Sequence, residues 1–104
     1  MLRINKLPLA EEDLIDIWVY GCETWGAVQA DTYAEGIESA LISLAHSPKK
    51  YRLRKKFLPP VRICHHVSHL IIYTIEENAI TVIRVLHQSM GVEQHLYEGE
   101  GLPR

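Results

Sequence analysis

Long apolar runs and cysteines are scarce in this sequence of 104 residues. No apolar run approaches the roughly 18 residues that a membrane-spanning helix requires, so the sequence predicts no membrane span. Residues 1–6 lack the uninterrupted apolar segment of a secretory signal, which favours a cytoplasmic protein. The two cysteines, Cys22 and Cys64, are too few for a disulfide framework. Reduced thiols are the expectation in the cytoplasm, and a single bridge between the two stays open at this point.

Acidic residues are missing from the middle of the chain, although the net charge is only −2. Residues 39–75 hold seven bases and no acid, whereas residues 1–38 hold eight acids and two bases. The seven bases are Lys49, Lys50, Arg52, Arg54, Lys55, Lys56 and Arg62. A basic middle third indicates an anionic partner, either a nucleic acid or the acidic surface of another protein, and a solvated loop is the alternative.

Helical periodicity covers most of the first half of the chain. Residues 2–6 alternate between apolar and polar side chains, which predicts a short strand. Pro8 suits the first turn of a helix over residues 9–23, because its missing N–H would be unpaired there in any case. A second helix is predicted to end near His46. Since a turn at residues 25–26 joins them, the two helices should form an antiparallel hairpin.

The period of the apolar pattern changes from 3.6 to 2 in the second half of the chain. Three strands are predicted there, at residues 61–65, 70–75 and 80–86, and their short connections favour an antiparallel meander. Residues 48–60, with two adjacent prolines, are expected to be a surface loop, and residues 92–97 a last helical turn.

The element order is therefore β-α-α-β-β-β, an α+β fold in which a helical hairpin packs on a mainly antiparallel sheet. One domain is predicted over residues 1–98, followed by a flexible tail at residues 99–104. The expected core consists of Leu14, Ile17, Trp18, Tyr33, Ile37, Leu41, Leu44, Leu70, Ile72, Ile83 and Val85.

Three stretches carry a resemblance to a known family. The first is residues 9–18, LAEEDLIDIW, and the second is the corner formed by Trp25-Gly26 and residues 29–33, QADTY. The third and most specific is residues 83–90, IRVLHQSM, followed by His95-Leu96. Together with Arg62 and residues 68–73, these stretches resemble the RelE/ParE superfamily of toxins from toxin–antitoxin systems, and the third is typical of the ParE branch.

The resemblance implies the fold, a toxin role and a partner. ParE toxins are thought to inhibit DNA gyrase by stabilising cleaved DNA, and a ParD-like antitoxin neutralises them in a hetero-oligomer. Any contact with DNA would then be indirect, and no cofactor and no membrane are implied. The alternative is a ribosome-dependent mRNA endonuclease of the RelE kind.

A nuclease needs an acid, a base and cations around the reacting phosphate. The candidates are Lys55, Arg62, Arg84 and His87. Regular alternation along the last strand puts Arg84 and His87 on opposite faces unless a bulge redirects one of them. Each also has a structural alternative, since Arg84 can pair with an acid of the hairpin and His87 can bond to a backbone carbonyl. The sequence therefore favours an inhibitor over an enzyme.

A binding surface is expected on the sheet face opposite the hairpin. Leu58, Ile63, Ile71 and Val82 are expected to line an open apolar groove there, suited to an acidic amphipathic antitoxin helix. Coverage by the basic loop or by the C-terminal turn is the alternative. The residues predicted to bind the antitoxin or the target are Lys55, Lys56, Leu58, Arg62, Ile63, Ile71, Arg84, His87, His95 and Leu96.

Cys64, His65, His66 and His69 carry metal-ligating atoms within six residues. Strand alternation places residue 65 on the opposite face from residues 64 and 66, and the spacing matches no common zinc motif. No metal site is predicted.

Overall fold

A computed structural model describes residues 1–96 as a helical hairpin, a five-stranded sheet and a short final helix. In chain order the elements are β1 (Arg3–Lys6), α1 (Pro8–Trp25), α2 (Ala27–His46), β2 (Leu53–Arg54), β3 (Val61–His66), β4 (His69–Glu76), β5 (Ala79–His87) and α3 (Val92–Leu96). The predicted order is confirmed, and the two-residue β2 is added inside the predicted loop. The tail predicted at residues 99–104 lies outside the described residues.

The helical hairpin has its corner at Gly26, as predicted. Gly26 separates α1 from α2 with φ 94° and ψ 162°, a backbone conformation that is essentially restricted to glycine. Near this corner the helices approach closely, since a Cβ added to Gly21 would lie 3.1 Å from Ala30 Cβ. A larger residue at position 21 would push the helices apart. No helix within residues 1–96 has both the length and the apolar character needed to cross a membrane.

The sheet has the strand order β1-β5-β4-β3-β2. The predicted antiparallel meander of β3, β4 and β5 is confirmed, and β2 pairs antiparallel with β3 at the sheet edge. At the other edge β1 pairs parallel with β5, and the hairpin and strands β2 to β4 lie between these two neighbours in the sequence.

A bulge in β5 changes which side chains share a face. Opposite β4 the pairing passes from Ile72↔Arg84 to Tyr73↔Val82, so Ile83 is skipped. As a result Val82 and Val85 pack towards the hairpin, whereas Ile83 and Leu86 pack on the other face. The regular alternation predicted for this strand is wrong for that reason.

Both faces of the sheet are covered. On the hairpin side the core includes Ile37, Leu41, Ile71, Tyr73, Ile80, Val82 and Val85. On the other side Phe57, from the basic loop, and Leu96, from α3, pack over Val61, Ile72, Ile83 and Leu86. The predicted open groove is therefore wrong: Ile71 and Val82 are 0% exposed on the hairpin side, and Leu96 is itself buried.

Most of the predicted core is buried or half-buried, and Trp18 is the exception. Its side chain is 41% exposed. The indole N–H donates to Asp31 Oδ1 at 2.7 Å, which holds the ring beside α2 instead of against the sheet.

Candidate functional site

Three histidines lie side by side across the sheet. In the strand register His66 of β3 pairs with His69 of β4, which in turn pairs with His87 of β5. The His69 and His87 rings meet edge to face, with centroids 5.4 Å apart. Tyr33 of α2 contacts the His66 and His69 rings at centroid distances of 5.8 and 5.5 Å. We call the three histidines, His66, His69 and His87, the histidine row.

Hydrogen bonds fix the orientation of two of these rings. The Tyr33 hydroxyl and His69 Nδ1 are 2.6 Å apart, and the Ser89 backbone N–H donates to His87 Nδ1 at 3.1 Å. Neutral His87 must therefore carry its proton on Nε2.

Burial lowers the pKa of His69 below its ordinary value of 6.5. The neighbouring His87 and His66 also lower it, whereas Asp13 acts in the opposite direction. Because the folded protein disfavours protonation at this ring, the stability it contributes is complete above pH 6.5 and is lost as the pH falls through the folded pKa.

We expect the free energy of unfolding of the wild type to fall between about pH 7.5 and about pH 5.5, and His69→Gln to lose less over this interval. Urea unfolding at the two pH values measures both losses. His46→Gln, which removes an exposed histidine at the end of α2, is the control and should behave like the wild type. Equal losses in His69→Gln and in the wild type would contradict the assignment.

Two members of the histidine row, His69 and His87, line a cleft between the hairpin and the sheet, with a volume of about 560 Å³. Side chains of both helices, the turn between β3 and β4, and the segment that follows β5 line this cleft. They are Asp13, Asp16, Ile17, Tyr20, Gly21, Trp25, Gln29, Ala30, Tyr33, Val67, Ser68, His69, Val85, His87 and Met90. We call this the aromatic cleft. Its size is that of ordinary ligand pockets.

The rim of the aromatic cleft exposes large apolar side chains. Tyr20 and Trp25 stand edge to face with ring centroids 5.8 Å apart, and Trp25 is 59% exposed. Val67, which also lines the cleft, is likewise exposed and has a φ of 51°, unusual for a β-branched residue. Among the described residues that line the cleft there is no lysine or arginine. The cleft therefore suits an apolar segment better than a phosphate.

Arg84 is sequestered in a clamp that joins three elements. Its Nε and Nη2 donate to Asp13 Oδ2 and Oδ1 at 2.8 and 2.9 Å, and its Nη1 donates to the His95 carbonyl at 2.7 Å. The Val85 backbone N–H also donates to Asp13 Oδ2 at 2.9 Å. Arg84 is 7% exposed. The geometry therefore supports a structural role for Arg84, in which its side chain links β5 to α1 and to α3.

The predicted nuclease residues do not converge. Arg84 and His87 belong to β5, whereas Arg62 belongs to β3, and β4 lies between them. Two strand spacings put these strands about 10 Å apart. Lys55 lies further out, next to β2. His87 alone of the four reaches the aromatic cleft.

Residues 49–56, which we call the basic segment, lie at the edge of the sheet formed by β2. The Tyr73 hydroxyl donates to the Pro48 carbonyl at 2.7 Å, and Arg62 Nη1 donates to the Tyr51 carbonyl at 2.6 Å. Arg62 therefore supports the segment from β3. Lys55 and Lys56 are exposed, as is Leu58 just beyond, whereas Ile63 is half-buried against the second core.

The remaining candidates have local roles. His95 Nδ1 of α3 is 2.8 Å from the carbonyl oxygen of Gly91, the residue before the helix. Cys22 and Cys64 are both free thiols. Within the described residues no group of three or more His, Cys, Asp or Glu side chains is arranged to hold a metal ion.

Sequence reasoning missed the histidine row and the aromatic cleft. A two-residue turn at Val67-Ser68 places His66 opposite His69. The predicted strands ended at residue 65 and began again at residue 70, so they left both histidines out. The contact with Tyr33, which comes from an element 33 residues earlier in the chain, has no local signal.

Comparisons with known proteins agree on one family. Residues 4–92 match the family of the ParE toxin of type II toxin–antitoxin systems, parDE. The chain is similar to Toxin ParE1 of Caulobacter vibrioides, with 34% identity over 87 residues, covering 84% of this chain and 90% of that protein. It is 33% identical over 90 residues to Toxin ParE1 of Mycobacterium tuberculosis, covering 86% of this chain and 92% of that protein.

The fold is also found in a solved structure, a chromosomal ParDE toxin–antitoxin system from P. aeruginosa. The likeness has a TM-score of 0.71 at 17% identity and covers 84% of this chain and 96% of that one. With its family match over most of the chain and its α+β fold, this protein belongs to the ParE family of toxins of type II toxin–antitoxin systems.

Proposed function

We propose that this toxin acts in the cytoplasm by inhibiting DNA gyrase and stabilising its cleaved-DNA complex, without catalysing a reaction of its own. The single observation that carries the proposal is the clamp between Arg84 and Asp13. A ribonuclease of the RelE kind needs a cation free to stabilise the reacting phosphate, and the arginine next to the histidine row is already bonded on both sides.

The electrostatics of the aromatic cleft support the same proposal. Asp16 on the cleft wall would repel a phosphate, and the described lining offers no lysine or arginine to balance it. A toxin that inhibits a protein target by binding to it needs a complementary surface and no catalytic groups.

The test uses purified toxin and gyrase, with relaxed plasmid to measure supercoiling and supercoiled plasmid to measure DNA cleavage. We expect loss of supercoiling activity and accumulation of linear DNA once the gyrase is removed with detergent and protease. Plasmid with toxin but no gyrase is the control and should stay intact. The alternative function predicts mRNA cleavage on translating ribosomes instead. Such cleavage, together with unaffected gyrase, would overturn the proposal.

A ParD-like antitoxin neutralises the toxin in this proposal by placing an apolar segment in the aromatic cleft. The cleft has the features of a groove for an amphipathic helix, since exposed aromatic rings border a concave apolar surface. It replaces the groove predicted on the other sheet face, which Phe57 and Leu96 fill.

A further inference from the structure

We infer that the basic segment binds the phosphate backbone of duplex DNA directly. The inference rests on the proposed gyrase function and deepens it, because a toxin that also holds DNA would be retained where gyrase has cut. The segment presents six cations in eight residues: Lys49, Lys50, Arg52, Arg54, Lys55 and Lys56. No acidic residue interrupts the sequence between Glu38 and Glu76.

The backbone of the basic segment is held at two points within it and at the residue on either side, which separates it from a solvated loop. Pro48 and Tyr51 accept hydrogen bonds from Tyr73 and Arg62. Residues 53–54 pair with β3, and Phe57 is buried in the second core. A fixed backbone means that phosphate binding orders side chains only, which lowers the entropic cost of association.

The charges of the segment are available to a ligand. Within residues 1–96 its one ion pair joins Lys56 Nζ to Glu93 Oε1 at 3.5 Å, and both side chains are more than half exposed. Pairs of this kind contribute little in water. The acids that could compete lie mostly on the hairpin, at the other face of the sheet.

The composition of the surface favours DNA over an acidic protein. Protein interfaces centre on aromatic anchors and are depleted in lysine. Here Tyr51 packs against the core on the hairpin side of the sheet, and Phe57 is buried in the core on the other side. Four of the six cations are lysines. Leu53 and Leu58 supply the exposed apolar surface that remains. The basic segment therefore suits a sequence-independent contact with phosphates.

The inference makes a quantitative prediction about salt. Each phosphate neutralised on B-DNA contributes about −0.9 to the slope of log K against log salt concentration, so contacts from most of the six cations give a slope of about −4 to −5. The reversal Arg52→Glu should make this slope shallower by about 1 to 2 and weaken binding at low salt by about tenfold.

The experiment measures fluorescence anisotropy of a short labelled duplex of arbitrary sequence against the full chain over a salt series. Arg3→Glu is the matched control, because Arg3 is exposed on β1, at the opposite edge of the sheet, and the charge change is the same. Circular dichroism verifies that both variants fold. We expect Arg52→Glu to weaken binding and Arg3→Glu to leave it near the wild-type value.

Absence of salt-dependent binding, or equal weakening by the two variants, would overturn the inference. Tighter binding to an RNA duplex than to DNA would also overturn it, as would an Arg52-dependent interaction with gyrase alone and no binding to DNA. Duplex binding that Arg52→Glu weakens supports the inference even when gyrase is unaffected. The plasmid assay separately decides the proposed function.

Discussion

Replacing Arg84 by alanine should lower the free energy of unfolding by about 3–5 kcal/mol, because the change leaves the Asp13 carboxylate enclosed without its partner. The side chains of Arg84 and Asp13 are 9% and 14% exposed, so water cannot fully substitute for the lost bonds. The His95 carbonyl also loses a donor, which should loosen α3. Urea unfolding followed by circular dichroism measures the loss, and Asp13→Leu should produce a loss of similar size.

Two comparisons make this prediction specific. The double variant Asp13→Leu/Arg84→Met should cost less than the sum of the single variants, since it leaves no charge unpaired. Lys6→Ala removes the ion pair with Glu38, whose side chains are 24% and 50% exposed, and should cost no more than about 1 kcal/mol. Losses of equal size for Arg84→Ala and Lys6→Ala would refute the structural role of the clamp.

Replacing Trp25 by alanine should weaken antitoxin binding about thirtyfold or more, the effect of removing an aromatic anchor worth about 2 kcal/mol or more at an interface. Trp25 borders the aromatic cleft, is 59% exposed in the free toxin and supports the Tyr20 ring. Its removal should therefore alter binding much more than folding. Titration calorimetry with the ParD-like antitoxin measures the affinity.

Ile42→Ala is the matched control for Trp25→Ala. Ile42 is an apolar residue of α2 that is 46% exposed and does not line the cleft. Its truncation should change antitoxin affinity by no more than a few fold. If the two variants bound the antitoxin equally well, the aromatic cleft would not be the docking site.

The order of the elements could be predicted from the sequence because each has a local cause. Pro8 begins α1, Gly26 ends it, and the change of apolar period near residue 60 separates helices from strands. The two-residue β2 could not be predicted, since its pairing with β3 is set by the anchors around it and not by its own composition.

The assignment of side chains to sheet faces failed where the backbone is irregular. The skipped residue Ile83 reverses the alternation of β5, and no residue in that apolar stretch marks the bulge. Val82, next to the bulge, was expected on an open face and instead packs on the hairpin side. Ile71 of β4 was also assigned to the wrong face, but for a different reason. A stretch of strand that is buried on both sides offers no polar residue from which its orientation can be read.

The candidate site was predictable only in part. His87 was identified from the family motif, and the structural alternative for Arg84 was recognised, but its partner Asp13 lies 71 residues away in sequence. The aromatic cleft depends on the distance between the hairpin and the turn at Val67-Ser68. That distance is a tertiary property, so local patterns carry no information about it.

The two surfaces proposed to bind the antitoxin and DNA lie at opposite ends of β3, and this bears on whether both partners can bind at once. The aromatic cleft is lined by Val67, directly after the end of β3, whereas the basic segment pairs with Val61 and Arg62 at its start, and no described residue belongs to both. Five residues of strand separate these ends by about 15 Å. An antitoxin segment could therefore enter the cleft while the toxin is still seated on DNA. The proposed complexes with antitoxin and with DNA would then not compete for the same toxin surface, and a ternary complex could form.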